Sequence, residues 1–170
     1  MAAVVSWELR GEMMNFDDLI WARAIHVLAV AHWIGGVAFV TLVILPLARS
    51  LPAQEGLALF EAAENRFAAQ VRVSIPVAGA AGFWMTYRMD LWSRFLDPHF
   101  WWMTAMLGLW VVFSIVVFVV EPLFHARIEN LARANPPLAL ARIKRMHSML
   151  LALATVTIAG AVAGAHGFYF

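Results

Sequence analysis

Four long runs of this chain carry no charged side chain and consist mostly of apolar residues. Three of them exceed the roughly 20 residues needed to cross the hydrocarbon core of a bilayer. Arginines flank the shorter second run and can extend its effective length by snorkelling. The apolarity is continuous rather than alternating, which favours helices over barrel strands. The sequence therefore predicts an all-α integral membrane four-helix bundle, built on the runs Ala24–Ala48, Val73–Tyr87, Pro98–Val120 and Met146–Phe170.

The chain reads as one domain over residues 1–170, with spans at about 19–48, 66–89, 98–122 and 146–168. Apolar residues recur at helical spacing through Ala53–Arg72, so we expect this segment to run into the second span as one long helix. The net charge of +1 says nothing about nucleic acid, and no dense basic run supports it, so we expect no nucleic-acid partner. With no cysteine, the chain has no disulfides, thiolate metal sites or iron–sulfur clusters.

Lys and Arg residues are distributed unevenly between the two predicted membrane faces. The face that holds both termini and the second loop has four of them, and the opposite face has eight. Positive residues collect on the cytoplasmic side of membrane proteins. The sequence therefore predicts termini on the periplasmic side of a bacterial cytoplasmic (inner) membrane, with membrane lipid as the surrounding medium.

Histidines lie at the ends of these runs, where imidazole needs a partner. At about 1.5 Å rise per residue, His26 and His166 lie roughly 10 and 13 Å from mid-membrane, on the same side. Two imidazoles from different helices at one level are what a six-coordinate haem b requires. Arg23 and Arg88 lie nearer the same surface and could pair with the haem propionates. The alternative is that each histidine simply hydrogen-bonds within the bundle.

A second site is possible at the other face, where His125 ends the third span and His147 begins the fourth. Both lie close enough to the interface to be ordinary solvated residues. His32 is near mid-membrane and points some 240° around the helix from His26, at about 100° per residue. We therefore weigh His32 as a ligand at a second site, a relay between levels, or a structural hydrogen-bonding residue.

Small residues cluster in the second and fourth predicted spans, at Ala78–Gly82 and Gly160–Gly164. Such residues allow close helix packing. They could also leave a slot for a flat macrocycle between the helices.

The first span, with His26 followed by Trp33, Gly35 and Gly36, resembles the opening helix of the HemJ-type membrane protoporphyrinogen oxidases. It also resembles the related copper-resistance D-like membrane proteins. The resemblance covers about residues 20–127, through the further elements Glu64-Asn65-Arg66-Phe67, Ile75-Pro76, Phe100-Trp101-Trp102 and His125. It implies a four-helix membrane protein that binds haem b through His26 and acts on a porphyrinogen or passes electrons. The chain departs from the oxidases at Met103–Ala105 and Met146–Met149, which lack their histidine–x–lysine-like and Asn-Glu-x-Pro-like elements.

We therefore expect an inner-membrane redox protein with one or two haem b groups, an oxidoreductase if it oxidises a porphyrinogen. A redox partner protein or a quinone would exchange electrons with it, and a homo-oligomer or a larger membrane complex is a further expectation. Two alternatives stay open: a copper-handling membrane protein without turnover, and a structural subunit of a respiratory assembly.

Overall fold

The computed structural model describes the backbone of residues 2–167 and the side chains of residues 17–124, 126–127 and 130–167. Over that part of the chain the structure is helical and contains no strand, which confirms the all-α prediction. Two short 3-10 turns, Trp92–Leu96 and Pro98–Phe100, form most of the connection in the middle of the chain. The α-helices are α1 (Ala2–Phe39), α2 (Leu45–Ser50), α3 (Ala53–Arg88), α4 (Trp101–Ile115), α5 (Glu121–Ala134) and α6 (Pro136–Ala165).

Three helical segments are long and apolar enough to cross a membrane: Asp17–Ser50, Pro98–Phe124 and Pro136–Ala165. These match the first, third and fourth predicted spans, and their length and composition are those of a membrane protein. The predicted second span lies within α3, which is one continuous helix as expected. The helix α3 is more polar than the other three segments, because Arg66, Gln70 and Arg72 precede its apolar half.

Two prolines near the predicted ends of the first and third spans, Pro46 and Pro122, lie inside longer helical rods. A π-helical turn at Val40–Ile44 connects α1 to α2 around Pro46, and another at Val116–Val120 connects α4 to α5 around Pro122. Proline removes one N–H and crowds the carbonyl four residues earlier. Wider turns of this kind relieve that crowding without ending the helix. Both rods therefore continue past the predicted boundaries.

The centre of the bundle joins α1, α3 and α4. Trp33 of α1 is buried and meets the ring of Phe113 edge-on, with 4.8 Å between ring centroids. Val71 and Ile75 of α3 complete this cluster with Val117. Edge-to-face aromatic pairs are favourable beyond their buried area. The α1–α3 interface is thus fixed on one side by apolar packing.

Indole rings occupy the notches left by the small residues of α3 and α6. A Cβ added to Gly79 would lie 2.6 Å from the ring of Trp110. On α6, added Cβ atoms at Gly160 and Gly164 would meet Trp101 and Trp102 at 2.5 and 2.1 Å. The close-packing interpretation of these glycines is therefore the one the structure supports. A macrocycle would have to displace these rings to enter the same notches.

Candidate functional site

The imidazole of His26 faces α3 and is half-buried in the α1–α3 interface. Its Nδ1 lies 2.8 Å from the carbonyl oxygen of Ala78. One turn further along α3, Gly82 leaves the space that the ring occupies, because a Cβ there would lie 3.2 Å from His26 Cε1. A carbonyl can only accept a hydrogen bond, so Nδ1 carries the proton in the neutral ring. Nε2 is then left with the lone pair that binds a metal.

His32 also reaches α3, although it points about 240° around α1 from His26. Its Nδ1 lies 3.3 Å from Ser74 Oγ, and its Nε2 lies 3.1 Å from Gln70 Oε1. The Gln70 amide nitrogen donates to the carbonyl of Arg66, which leaves its oxygen for the histidine. Both ring nitrogens are thus hydrogen-bonded. This geometry matches the structural role weighed for His32 more closely than a ligand role.

The two histidines of α1 lie along one row of α3, formed by Gln70, Ser74, Ala78 and Gly82. Residues four apart on a helix advance by about 40° beyond a full turn, because each residue turns about 100°. The row therefore winds gradually around α3 between Gln70 and Gly82. One end of the row meets the side of α1 that carries His32, and the other end meets His26. Positions on α1 alone could not predict this shared row.

His166 follows the last residue of α6 and is exposed. Its Nδ1 lies 2.8 Å from the carbonyl oxygen of Val162 in the same helix. His26 faces α3, and within the described residues no hydrogen bond or ring contact joins these two histidines. A joint ligand role for His26 and His166 therefore stays a prediction. Counting residues along a helix predicts how deep a side chain lies in the membrane. Ligation also depends on the direction in which each ring points, which the count does not give.

At the opposite end of the bundle, His147 is half-buried near the start of the apolar part of α6. Its Nδ1 lies 3.1 Å from the carbonyl oxygen of Ile143, and its ring meets Phe60 edge-on with centroids 6.1 Å apart. The side chain of His125 lies outside the described residues. A joint ligand role for His125 and His147 therefore stays a prediction.

The two arginines expected near haem propionates differ in their surroundings. Arg88 Nε donates to Asp18 Oδ2 at 3.0 Å, an ion pair that ties the end of α3 to α1. The guanidinium also lies 6.0 Å from the ring of Trp84. Arg23 is exposed on α1, one turn before His26. Arg88 would therefore have to share its guanidinium between Asp18 and any bound anion.

A network of charges between α3 and α5 was not predicted from the sequence. Arg72 donates to Glu121 at 2.8 Å, and Arg133 lies 4.0 Å from Glu61. Burial of the carboxyl, and then the charges of Glu121 and Glu61, raise the pKa of Glu64 to about 7. More than a third of the residue as a whole is nevertheless exposed, so we give the neighbouring charges more weight than burial. The only sequence signal was Glu121 beside an apolar run.

The region before α4 contains a contact between a histidine and a carboxylate. Asp97 Oδ1 accepts hydrogen bonds from the backbone N–H and from the ring of His99, both at 2.9 Å. The backbone bond and the ring bond lower the pKa of Asp97 below its usual value. Among the described residues, no three His, Asp or Glu side chains form a group that could hold a metal ion.

Comparisons of the chain with protein families, with curated proteins and with solved structures found no match. We therefore infer the function from the geometry of the side chains.

Proposed function

We propose that this chain is a haem b-binding redox protein of the bacterial inner membrane, in which His26 would hold the iron. The observation that carries the proposal is the hydrogen bond between His26 Nδ1 and the Ala78 carbonyl. Histidines that bind metals commonly donate their other ring N–H to a carbonyl or carboxylate, which fixes the tautomer and the orientation of the ring. His26 has this arrangement inside a helix interface.

The membrane arrangement that we propose has four spans. The apolar half of α3, after Arg72, contacts α1 through the His26–Ala78 hydrogen bond and α4 through the close approach of Gly79 to Trp110. A helix held in this position would cross the bilayer with them. The unequal distribution of Lys and Arg then places both termini in the periplasm, and His26 in the periplasmic half of the membrane.

The residues around His26 fit one axial position of a haem. The imidazole would supply the nitrogen ligand, and Gly82 leaves the space in which this ring lies against α3. Arg23 and Arg88 lie toward the same end of the bundle and could neutralise propionates. A second axial bond from His166 stays a prediction, since that ring lies on the exposed end of α6. If His166 gives no second bond, His26 is the single histidine that would hold the iron.

Bound haem b would supply one-electron oxidation and reduction within the membrane. A quinone or a membrane redox protein would then be the electron partner, and a porphyrinogen is a further candidate substrate. In this scheme the protein orients the iron ligand through Ala78 and excludes water with the packed α1–α3 interface.

The proposal is tested by purifying the chain from haem-replete cells and recording its absorption spectrum before and after dithionite reduction. We expect a Soret band that His26→Ala abolishes or weakens. His99→Ala is the matched control, because His99 is bonded only to Asp97 near the surface, and it should leave the band unchanged.

Three other outcomes have a defined meaning. A colourless preparation that contains copper would support the copper-handling alternative. A colourless preparation without metal would support a structural subunit and would contradict the proposal. If His166→Ala changes a low-spin spectrum into a high-spin one, the second ligand is His166 after all.

A further inference from the structure

One exposed face of α1 repeats with the spacing of a coiled coil. Its residues alternate steps of four and three along the chain, which is the spacing of the contact positions in a left-handed helix pair. In the structure every one of them is exposed. We call this face the α1 seam; it consists of Trp21, Ile25, Leu28, His32, Gly35 and Phe39.

The side chains that flank the seam are small. Ala24, Ala31 and Ala38 recur at every seventh residue along one edge. A Cβ added to Gly35 would have no atom within 4 Å, so the helix surface is open at that point. Small residues on a membrane helix let a second backbone come close. On α6 the comparable notches are filled by indoles, whereas the seam is left open.

A polar pair lies on the seam near the middle of the first span. His32 is exposed there, and its partner Gln70 on α3 is exposed beside it. The Gln70 amide nitrogen donates to Arg66, and its second N–H has no acceptor within the described part of the chain. Polar side chains at this depth are costly against lipid and usually face protein. If lipid alone covered this surface, the polar pair would be exposed to hydrocarbon, so a lipid-facing surface does not explain why the pair is there.

We propose that the α1 seam is the contact surface of a parallel homodimer in the membrane. Every copy inserts with the same orientation, so the seam helices of two copies run parallel and equal depths coincide. The polar pairs of two copies then lie at the same depth. Both ring nitrogens of His32 are bonded within each copy, so the groups left for the contact are the second N–H and the second oxygen lone pair of each Gln70, and these are complementary between two copies. This inference does not depend on haem binding.

The length of the seam suits a membrane contact. Trp21 and Phe39 are separated by about 27 Å of helix, at about 1.5 Å per residue, which nearly matches the roughly 30 Å of a bilayer core. Phe39 is also the last residue before the π-helical turn, where regular spacing ends. The repeat therefore covers the part of α1 that can pack against a straight neighbour.

The absence of native cysteine allows disulfide mapping in cell membranes without background. Leu28→Cys places a thiol on the seam, and Val27→Cys places one at a neighbouring site of similar exposure, 57% against 69% for Leu28. Thiols form a disulfide only when their Cα atoms come within about 7 Å. We expect an oxidant to link Leu28→Cys into a product of twice the chain mass, and to leave Val27→Cys monomeric.

Substitutions supply a second test in detergent micelles. Gly35→Leu should abolish the dimer, whereas Gly108→Leu, at an equally open glycine of α4, should preserve it. Neither added side chain meets another atom of the same copy at its Cβ, so both variants should fold. Gln70→Leu should raise the dissociation constant by about 3- to 30-fold, the usual range for one interhelical hydrogen bond.

Three results would overturn the proposal. One is equal cross-linking at positions 27 and 28, which would indicate random collision. Another is no cross-linking at Leu28→Cys, which would mean that lipid covers the seam. The third is a cross-linked product of a different mass, which would identify another membrane protein as the occupant.

Discussion

The notch at Gly79 allows the packing account of this bundle to be tested with a single methyl group. A Cβ added at position 79 would lie only 2.6 Å from the indole of Trp110, so the ring fills the space that any other residue would need. Its Nε1 also donates to the carbonyl of Ile75 at 2.9 Å. Gly79→Ala would therefore push the ring away and lengthen or break that hydrogen bond.

The expected cost has three parts. Overpacking a closed site costs about 1–3 kcal/mol. Losing the Trp110 hydrogen bond costs about 0.5–1.5 kcal/mol more. Alanine favours a helix over glycine by roughly 1 kcal/mol, which offsets part of this. The net loss in the free energy of unfolding is then about 0.5–3.5 kcal/mol.

Gly108→Ala is the matched control, because its added Cβ meets nothing within 4 Å. Both variants gain the same helix propensity, so that contribution cancels when they are compared. Gly79→Ala should be less stable than Gly108→Ala by about 1.5–4.5 kcal/mol. The assay is reversible unfolding in mixed micelles with increasing SDS, followed by far-ultraviolet circular dichroism.

A double variant makes the test specific to the contact. Trp110→Phe shortens the ring and removes the N–H, so Gly79→Ala should cost much less in that background. Neighbouring changes of this kind are non-additive. Equal stabilities for Gly79→Ala and Gly108→Ala would refute the reasoning, and so would strict additivity with Trp110→Phe.

Two further predictions concern the charges between α3 and α5. The folded protein raises the pKa of Glu64 to about 7, so it favours the protonated carboxyl, and the associated stability is lost as pH rises through 7. Glu64→Gln should flatten the dependence of unfolding free energy on pH between about 5 and 8, and an unchanged slope would contradict this assignment. Arg72 and Glu121 form a partly exposed ion pair, so a double-mutant cycle with Arg72→Ala and Glu121→Ala should give a coupling of about 1 kcal/mol or less. A coupling of several kcal/mol would show that the pair is desolvated in the membrane.

The fold class could be predicted from hydropathy because lipid leaves a continuous apolar run few alternatives to a helix. The run Pro98–Val120 lies within the membrane-length segment Pro98–Phe124. Boundaries near proline were less predictable. Pro46 and Pro122 each follow a π-helical turn, and the helices continue beyond them. A proline in the sequence shows where a hydrogen bond is lost but not whether a wider turn will compensate.

Only part of the candidate site could be predicted from the sequence. The expectation that an imidazole at position 26 needs a partner agrees with the contact between His26 and the Ala78 carbonyl, whereas its role as a haem ligand stays a prediction. Its partner Ala78 is a backbone carbonyl, which no side-chain pattern reveals. The expected pairing of His26 with His166 was based on depth alone. The exposure of the His166 ring also depends on where α6 ends.

The central claim is that the free nitrogen of His26 binds haem iron, and resonance Raman spectroscopy of the ferrous protein tests it most directly. We predict an iron–histidine stretching band that disappears in His26→Ala and returns when exogenous imidazole is added to that variant. A ferrous haem protein with the same band in His26→Ala would contradict the account, as would a purified protein that takes up no haem.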